Sequence, residues 1–257
     1  MKAIWSGAIN FGLVNIPVKM YSATEDRNLD FDMLDSRDNE RVRYQRVNEK
    51  TGKEVPWGKI VKGYKGEEDD YVILPDKDFE QASARKSKTI DIEEFVPQEE
   101  VAEILYKTPY YLEPDKGGSD AYALLRDALI ESKKAGVASF VMRSKENLAL
   151  LVGFEDVILL HVIRFANEIR EHSELELPSK KAGKKELKMA LDLIDQYSSD
   201  FVLDKYEDDY VDKLLEIIEN KRAGTKPKLH RLKPEPATGA KDLMKKLQES
   251  LKMKKAS

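Results

Sequence analysis

The order of apolar and polar positions predicts a chain that opens with strands and closes with helices. From Ile4 to Tyr21 strand-forming residues dominate, and their alternation changes phase around Gly12, as at a bulge or bend. Ser22 to Asp30 is polar and turn-like, and Phe31 to Leu34 leads onward. Tyr71 to Pro75 reads as a short strand, and Thr89 to Val96 as another with Ile90 and Ile92 alternating against acids. Tyr106 to Leu112 carries Pro109, Tyr110 and Tyr111 and runs into the loop EPDKGG. A helix is predicted next, with Ser119 as N-cap and Asp120 in the first turn. Leu125, Ala128 and Leu129 share its face, Lys133 and Lys134 suit its last turn, and Gly136 ends it. Three apolar runs follow, Val137 to Met142, Leu148 to Phe154 and Val157 to Phe165, and their short polar links predict a buried β-meander.

From about Pro178 the period changes. A polar hinge (Lys180, Lys181, Gly183, Lys184, Lys185) precedes an amphipathic helix from Glu186 to Tyr197, with Leu187, Ala190, Leu191 and Ile194 on one face. A second helix runs from about Glu207 to Arg222, acidic at its start, basic at its end and followed by Gly224. Helices this short need an apolar surface to pack on, either a partner subunit or the β core. Thr225 to Ser257 is a linker containing Pro227, Pro234 and Pro236, then a helix with Leu243, Leu247 and Leu251 at helical spacing.

Charge changes the picture more than composition does. Charged residues make up 36% of the chain, above the roughly 25% of an ordinary soluble domain, and hydrophobic residues 41%. The formal net charge is −4, but it is segregated. Arg41 to Gly66 holds eight cations (Arg41, Arg43, Arg46, Lys50, Lys53, Lys59, Lys62, Lys65) against Glu49 and Glu54, whereas Glu67 to Glu103 holds thirteen acids against four cations. From Lys221 onward twelve cations face three acids. Segregation of this kind builds a directed field. In RVRYQRV, Arg41 and Arg43 fall on one face of an extended strand and Val42 and Tyr44 on the other, so one face can pack and the other present guanidinium groups. Asn48 to Gly52 supplies turn chemistry, and KIVKGYKG resumes a short β-like run.

Chemistry that needs a catalytic constellation finds little support. With no cysteine there are no disulfides, thiolate ligands or cysteine nucleophile, and the chain is compatible with a reducing cytoplasm. His161 lies inside an apolar strand, as a core histidine would, and Glu168 and His172 do not form an HExxH pair. The run Glu67 to Asp70 would be the acidic element of a metal-dependent nuclease, but no second cluster accompanies it, and it reads as a solvated turn. No phosphate-loop motif is present. Apolar runs such as VILLHVI are too short to span a membrane, and the N-terminal stretch lacks the pattern of a signal peptide. The residues argue for a binding protein with no catalytic, metal or cofactor site.

Several blocks together are specific. WSGAINFGLVNIPVKMYSATE, RVRYQRV, GKEV, IVKGY, KTPYYLEPDKGG running into AYALLRDAL, and ELKMALDLID resemble, in order, the bacterial Ku family of DNA end-binding proteins. Two departures are Asn48, where cysteine is expected often, and Asp35, where histidine is expected. The resemblance implies a mainly β fold with helices: a barrel core over residues 1–180, including an extended basic bridge at about 36–75, a helical arm over 181–224 and a basic tail over 225–257. It further implies a homodimeric ring that threads onto double-stranded DNA ends, associated with the bacterial nucleoid, and that engages a multidomain repair ligase. A ring that accepts any end reads phosphates and not bases. The expected DNA lining is Arg41, Arg43, Arg46, Lys53, Lys59, Lys62 and Lys65. In the tail, Lys228, Arg231, Lys233, Lys252, Lys254 and Lys255 are expected on DNA, and Leu243, Leu247 and Leu251 on the ligase. The competing readings are an end-processing nuclease built on Glu67 to Asp70 and an interaction scaffold whose basic tail binds nucleic acid nonspecifically.

Overall fold

The computed structural model describes residues 1–66, 70–82, 88–179, 181–225 and 243–253. They fall into two units, Met1–Asp26 with Asp30–Glu171, and Arg27–Leu29 with His172–Ser257. The strands of the first unit are β1 (Trp5–Phe11), β2 (Val14–Ser22), β3 (Lys62–Lys65), β4 (Tyr71–Leu74), β5 (Thr89–Pro97), β6 (Tyr106–Pro114), β7 (Lys134–Met142), β8 (Lys145–Phe154) and β9 (Val157–Ile163). Its helices are α1 (Asp76–Ala82) and α2 (Ser119–Ser132).

Seven strands close a barrel in the order β1-β2-β6-β9-β8-β7-β5. Every pair is antiparallel except the closing one, where β1 runs parallel to β5 with Ala8 opposite Thr89. Period-2 alternation fills the interior: Ile16, Val18 and Met20 from β2, Phe140 from β7, Leu151 from β8, and Ile158 and Leu160 from β9 are buried together. A second cluster lies on the outer face, where Ala135, Leu150 and Ile163 are buried with Val96, Val101, Leu105 and Tyr106 beside them. Apolar residues on both faces explain why the meander reads as near-continuous hydrophobic runs.

The register places two rims. One carries the turns Gly12–Leu13 and Glu155–Asp156, and α2 follows β6 there. The other carries the start of β1, the end of β2, the start of β5 and the β7–β8 turn. Trp5 seals this second rim. Its indole Nε1 donates to the Val141 carbonyl at 3.1 Å, and its ring meets Phe140 edge-on at 6.2 Å. Gly7 makes room for it: a Cβ there would stand 2.1 Å from the Lys88 carbonyl oxygen and 2.3 Å from the Trp5 ring.

Several predicted elements are placed differently. The phase change at Gly12 is neither a bulge nor a bend in one strand; it is a two-residue hairpin turn, with Gly12 at φ 58° and Phe11 paired with Val14. Ser119 is not the N-cap; Gly118 is, and no side chain caps the helix. The helix does not run on to Gly136, because Lys134 must already pair with Pro97 in the β5–β7 ladder. Lys133 turns the chain in the left-handed conformation, φ 53°, and Gly136 lies within β7. Tyr106–Pro114 is a full strand despite Pro109. That proline sits beyond the β2 pairing, which starts at Tyr110, and next to a bulge at Tyr106/Thr108, so no ladder donor is missed. Helix α1 carries no predicted signal beyond two acids in its first turn.

The second unit contains α3 (Lys184–Tyr197), α4 (Asp209–Arg222) and α5 (Leu243–Met253). Asp208 caps α4 by accepting from the Tyr210 amide at 2.9 Å, and Gly224 follows at φ 73°. α5 packs against α3. The predicted apolar face of α3 is covered only in part: Ala190 is half-buried, but Leu187, Leu191 and Ile194 are exposed, and the other half-buried apolar residues are Met189 and Leu193, which lie off that face.

Candidate nucleic-acid interface

The chain leaves the barrel at Ser22 and re-enters it at Thr89, and these two ends flank the start of β1 on one rim. The basic stretch between them is built from small closed turns. In the first, the Asp35 amide donates to the Glu40 carbonyl at 2.8 Å and the Val42 amide to Met33 at 2.9 Å, around Asn39 at φ 61°. In the second, Val47 bridges Glu54, the Asn48 amide donates to the Lys53 carbonyl at 2.8 Å, and the Asn48 carbonyl accepts from the Gly52 amide at 2.8 Å. Asn48 Oδ1 accepts from the Lys50 and Thr51 amides at 3.1 and 3.0 Å and from the Thr51 hydroxyl at 3.2 Å. An asparagine here therefore ties its own turn. A single helical turn at Trp57–Lys59 follows, then the β3–β4 hairpin and α1.

All seven expected cations of this stretch are exposed, but their surroundings differ. Arg41 is paired with Asp32, and Lys62 with Asp76 at 3.2 Å while lying 4.5 Å over the Phe79 ring. Arg46 stacks 4.3 Å over the Trp57 indole, which is itself 71% exposed. Arg43, Lys53 and Lys59 form no ion pair among the described residues. Lys65 lies on β3. Asp35, at one departure from the expected pattern, clamps Arg37 through Nε at 2.9 Å, and that guanidinium holds its carboxyl below the usual range.

The expected packing of one strand face does not occur among the described residues. Arg41 to Val47 forms only isolated bridges, and both Val42 and Tyr44, the latter 87% exposed, remain uncovered. Phe31, Trp57, Val61, Tyr64, Tyr71 and Ile73 are exposed as well. The sequence reading missed Asp32, Asp76 and Phe79, because partners nine to seventeen positions away carry no periodic signal.

Three further cations stand on the same rim. Lys88 precedes β5, and Arg143 and Lys145 occupy the β7–β8 turn and the start of β8. All three are exposed. Nearby, Lys107 holds Glu168 at 2.9 Å; that pair, with the Phe165 amide, keeps the Glu168 carboxyl below its ordinary value.

Of the other expected sites, Glu67 to Asp69 lie outside the described residues, as do Lys228, Arg231, Lys233, Lys254, Lys255 and the side chain of Lys252. Leu247 and Leu251 are half-buried on α5 and Leu243 is exposed.

The family model described as the Ku70/Ku80 beta-barrel domain matches residues 10–189. Curated proteins named "Non-homologous end joining protein Ku" are similar over most of the chain. That of Opitutus terrae is 42% identical over 254 residues, 98% of this chain and 91% of the relative. That of Archaeoglobus fulgidus is 42% identical over 228 residues, 87% and 89% of the two chains. That of Mycolicibacterium smegmatis is 35% identical over 267 residues, 99% and 83%.

Proposed function

The chain belongs to the Ku β-barrel family, and on that premise we propose that it is a non-catalytic clamp for double-stranded DNA ends in non-homologous end joining. Two copies close a ring around the duplex, in the cytoplasm at the nucleoid, and the C-terminal segment recruits a multidomain repair ligase. The observation that carries this reading is the basic arm, which leaves and re-enters one barrel rim and exposes its cations together with its apolar side chains.

The two kinds of exposure ask for two kinds of partner. Exposed Arg and Lys on extended backbone suit phosphates, which every DNA end presents alike. An isolated two-stranded hairpin with Tyr64, Tyr71, Val72 and Ile73 exposed is marginal in water by itself, and a second copy about a two-fold axis buries such surface. Arg41, Arg43, Arg46, Lys53, Lys59, Lys62 and Lys65 then line the duplex. With roughly half of them reaching phosphate in each subunit, log K falls with log salt at a slope of about −6. Leu243, Leu247 and Leu251 on α5 form the ligase-docking face, and the tail cations add nonspecific DNA affinity.

The test is binding to one linear duplex with its ends free or sealed by tight hairpins, at fixed salt. The clamp requires binding to depend on a free end, and to keep that dependence when residues 225–257 are removed. Equal binding to both forms overturns threading and leaves a scaffold with a basic tail.

A further inference from the structure

We infer that the β7–β8 turn is a second DNA-phosphate contact, with Arg143 as its principal cation and Lys88 and Lys145 beside it; this rests on the clamp reading above. The first observation is conformational. Arg143 and Ser144 both take the left-handed backbone, at φ 53° and 63°, in a two-residue hairpin loop between Met142 and Lys145. Turns of this form favour Asn-Gly, because a Cβ is strained in the left-handed region: Gly has none, and the short polar side chain of Asn tolerates the strain. Neither position uses the residue the backbone prefers, and one of them places a guanidinium at the tip, exposed and without an ion pair among the described residues.

The second observation is position. The β7–β8 turn lies on the rim from which the basic bridge springs. Ile90 of β5 pairs with Phe140 of β7, so Lys88 is in register with the end of β7, next to the Arg143 tip. The Ala8 amide donates to the Lys88 carbonyl at 3.0 Å, which fixes that backbone against β1. The third observation is rigidity. Trp5 bonds the Val141 carbonyl two residues before the turn, so the guanidinium is carried on the wall of the barrel and not on a loose loop. The neighbouring acids are Glu146 and Glu168, the latter already held by Lys107 and also within the field of Lys145. By contrast the β8–β9 turn on the opposite rim, which opens with a left-handed residue too, carries Glu155 and Asp156. The meander thus turns a basic tip toward the bridge and an acidic tip away from it. A duplex held by the bridge meets the basic one.

The chemistry separates charge from fold in one substitution. Arg143→Asn removes the cation and supplies a residue that tolerates the left-handed conformation, so the variant folds at least as well as the parent. Its Tm is expected to rise by about 2 °C. Its affinity for a free-ended duplex at about 150 mM salt is expected to fall about tenfold, and the slope of log K against log salt to lose about 2 in the dimer, one phosphate per subunit. Ser144→Gly, which relieves the adjacent left-handed residue without touching charge, should raise Tm and keep the parental slope of log K against log salt. Parental affinity and slope in Arg143→Asn would overturn the rim contact while leaving the clamp intact. Absence of end-dependent binding by the parent protein would overturn the clamp and this inference with it.

Discussion

Removing one oxygen atom from Tyr122 tests how the barrel is held at its helix-bearing rim. Tyr122 is 4% exposed, and its ring packs with Leu125, Leu129, Leu112 and Ile158 in the core. Its hydroxyl donates to the Leu112 carbonyl at 2.5 Å and accepts from the Ile158 amide at 2.7 Å. Leu112 and Ile158 are the last register pair between β6 and β9, so the hydroxyl ties α2 to both strands where their pairing ends. Tyr122→Phe keeps the ring and deletes these two bonds. At about 1 kcal/mol for each bond and about 1–2 kcal/mol for the Ile158 amide left buried without an acceptor, the cost is roughly 3–4 kcal/mol. Burial also pushes the phenol pKa above 10.0, so the group remains a neutral donor and the cost should be the same at pH 6 and pH 9. Thermal and urea unfolding of parent and variant measure it, with Tm expected to fall by roughly 6–16 °C for a chain of this size. A Tm within about 2 °C of the parent would refute the reasoning, because it would mean that water or a shifted strand replaces both bonds without loss.

Other outcomes follow from features at the opposite rim and along the bridge. Gly7→Ala places a methyl against the Lys88 carbonyl and the Trp5 ring, and should cost about 3 kcal/mol or more by forcing β1 off β5; a variant that melts like the parent would show that the closing pair gives way freely. Burial holds His161 below its ordinary pKa of 6.5, so the unfolded chain takes up this proton first as pH falls. The neutral imidazole's stability is fully present above about pH 6.5 and declines below it; the urea midpoint of His161→Phe should change less between pH 7.5 and 5.5 than that of the parent, and an identical pH dependence would contradict this. Asp32→Asn and Asp76→Asn together release Arg41 and Lys62, and should tighten free-end duplex binding by about threefold and steepen its salt dependence; weaker binding would place those two cations away from the duplex.

The barrel was legible where periodicity alone decides. The meander runs, Thr89 to Val96 and both arm helices needed only alternation or a 3.6-residue period to be found. Pro109 hid β6 because a proline speaks against a central strand until it is known that its neighbour β2 stops one residue short. Ser119 misled because a good capping side chain is no evidence that the backbone starts its helix there; Gly118 does so without one. The bridge was legible as charge but not as geometry, since Arg41 finds Asp32 and Lys62 finds Asp76 through turns that no local pattern encodes. The Arg143 turn was the least visible of all. The sequence shows two ordinary polar residues, and only the backbone dihedrals reveal that they occupy a conformation suited to others.

The bridge's attachment also bears on how its span could change. Both of its ends are fixed by strands that flank β1, so its length enters the stability of the barrel only through loop closure. That cost grows logarithmically, about 0.6 kcal/mol for each doubling. Residues inserted at its turns, around Asn39 or Asn48, would alter how far the arm reaches while the barrel registers stay as they are. The reach of the arm is therefore a quantity that an engineer, or a lineage, can adjust separately from the barrel that carries it.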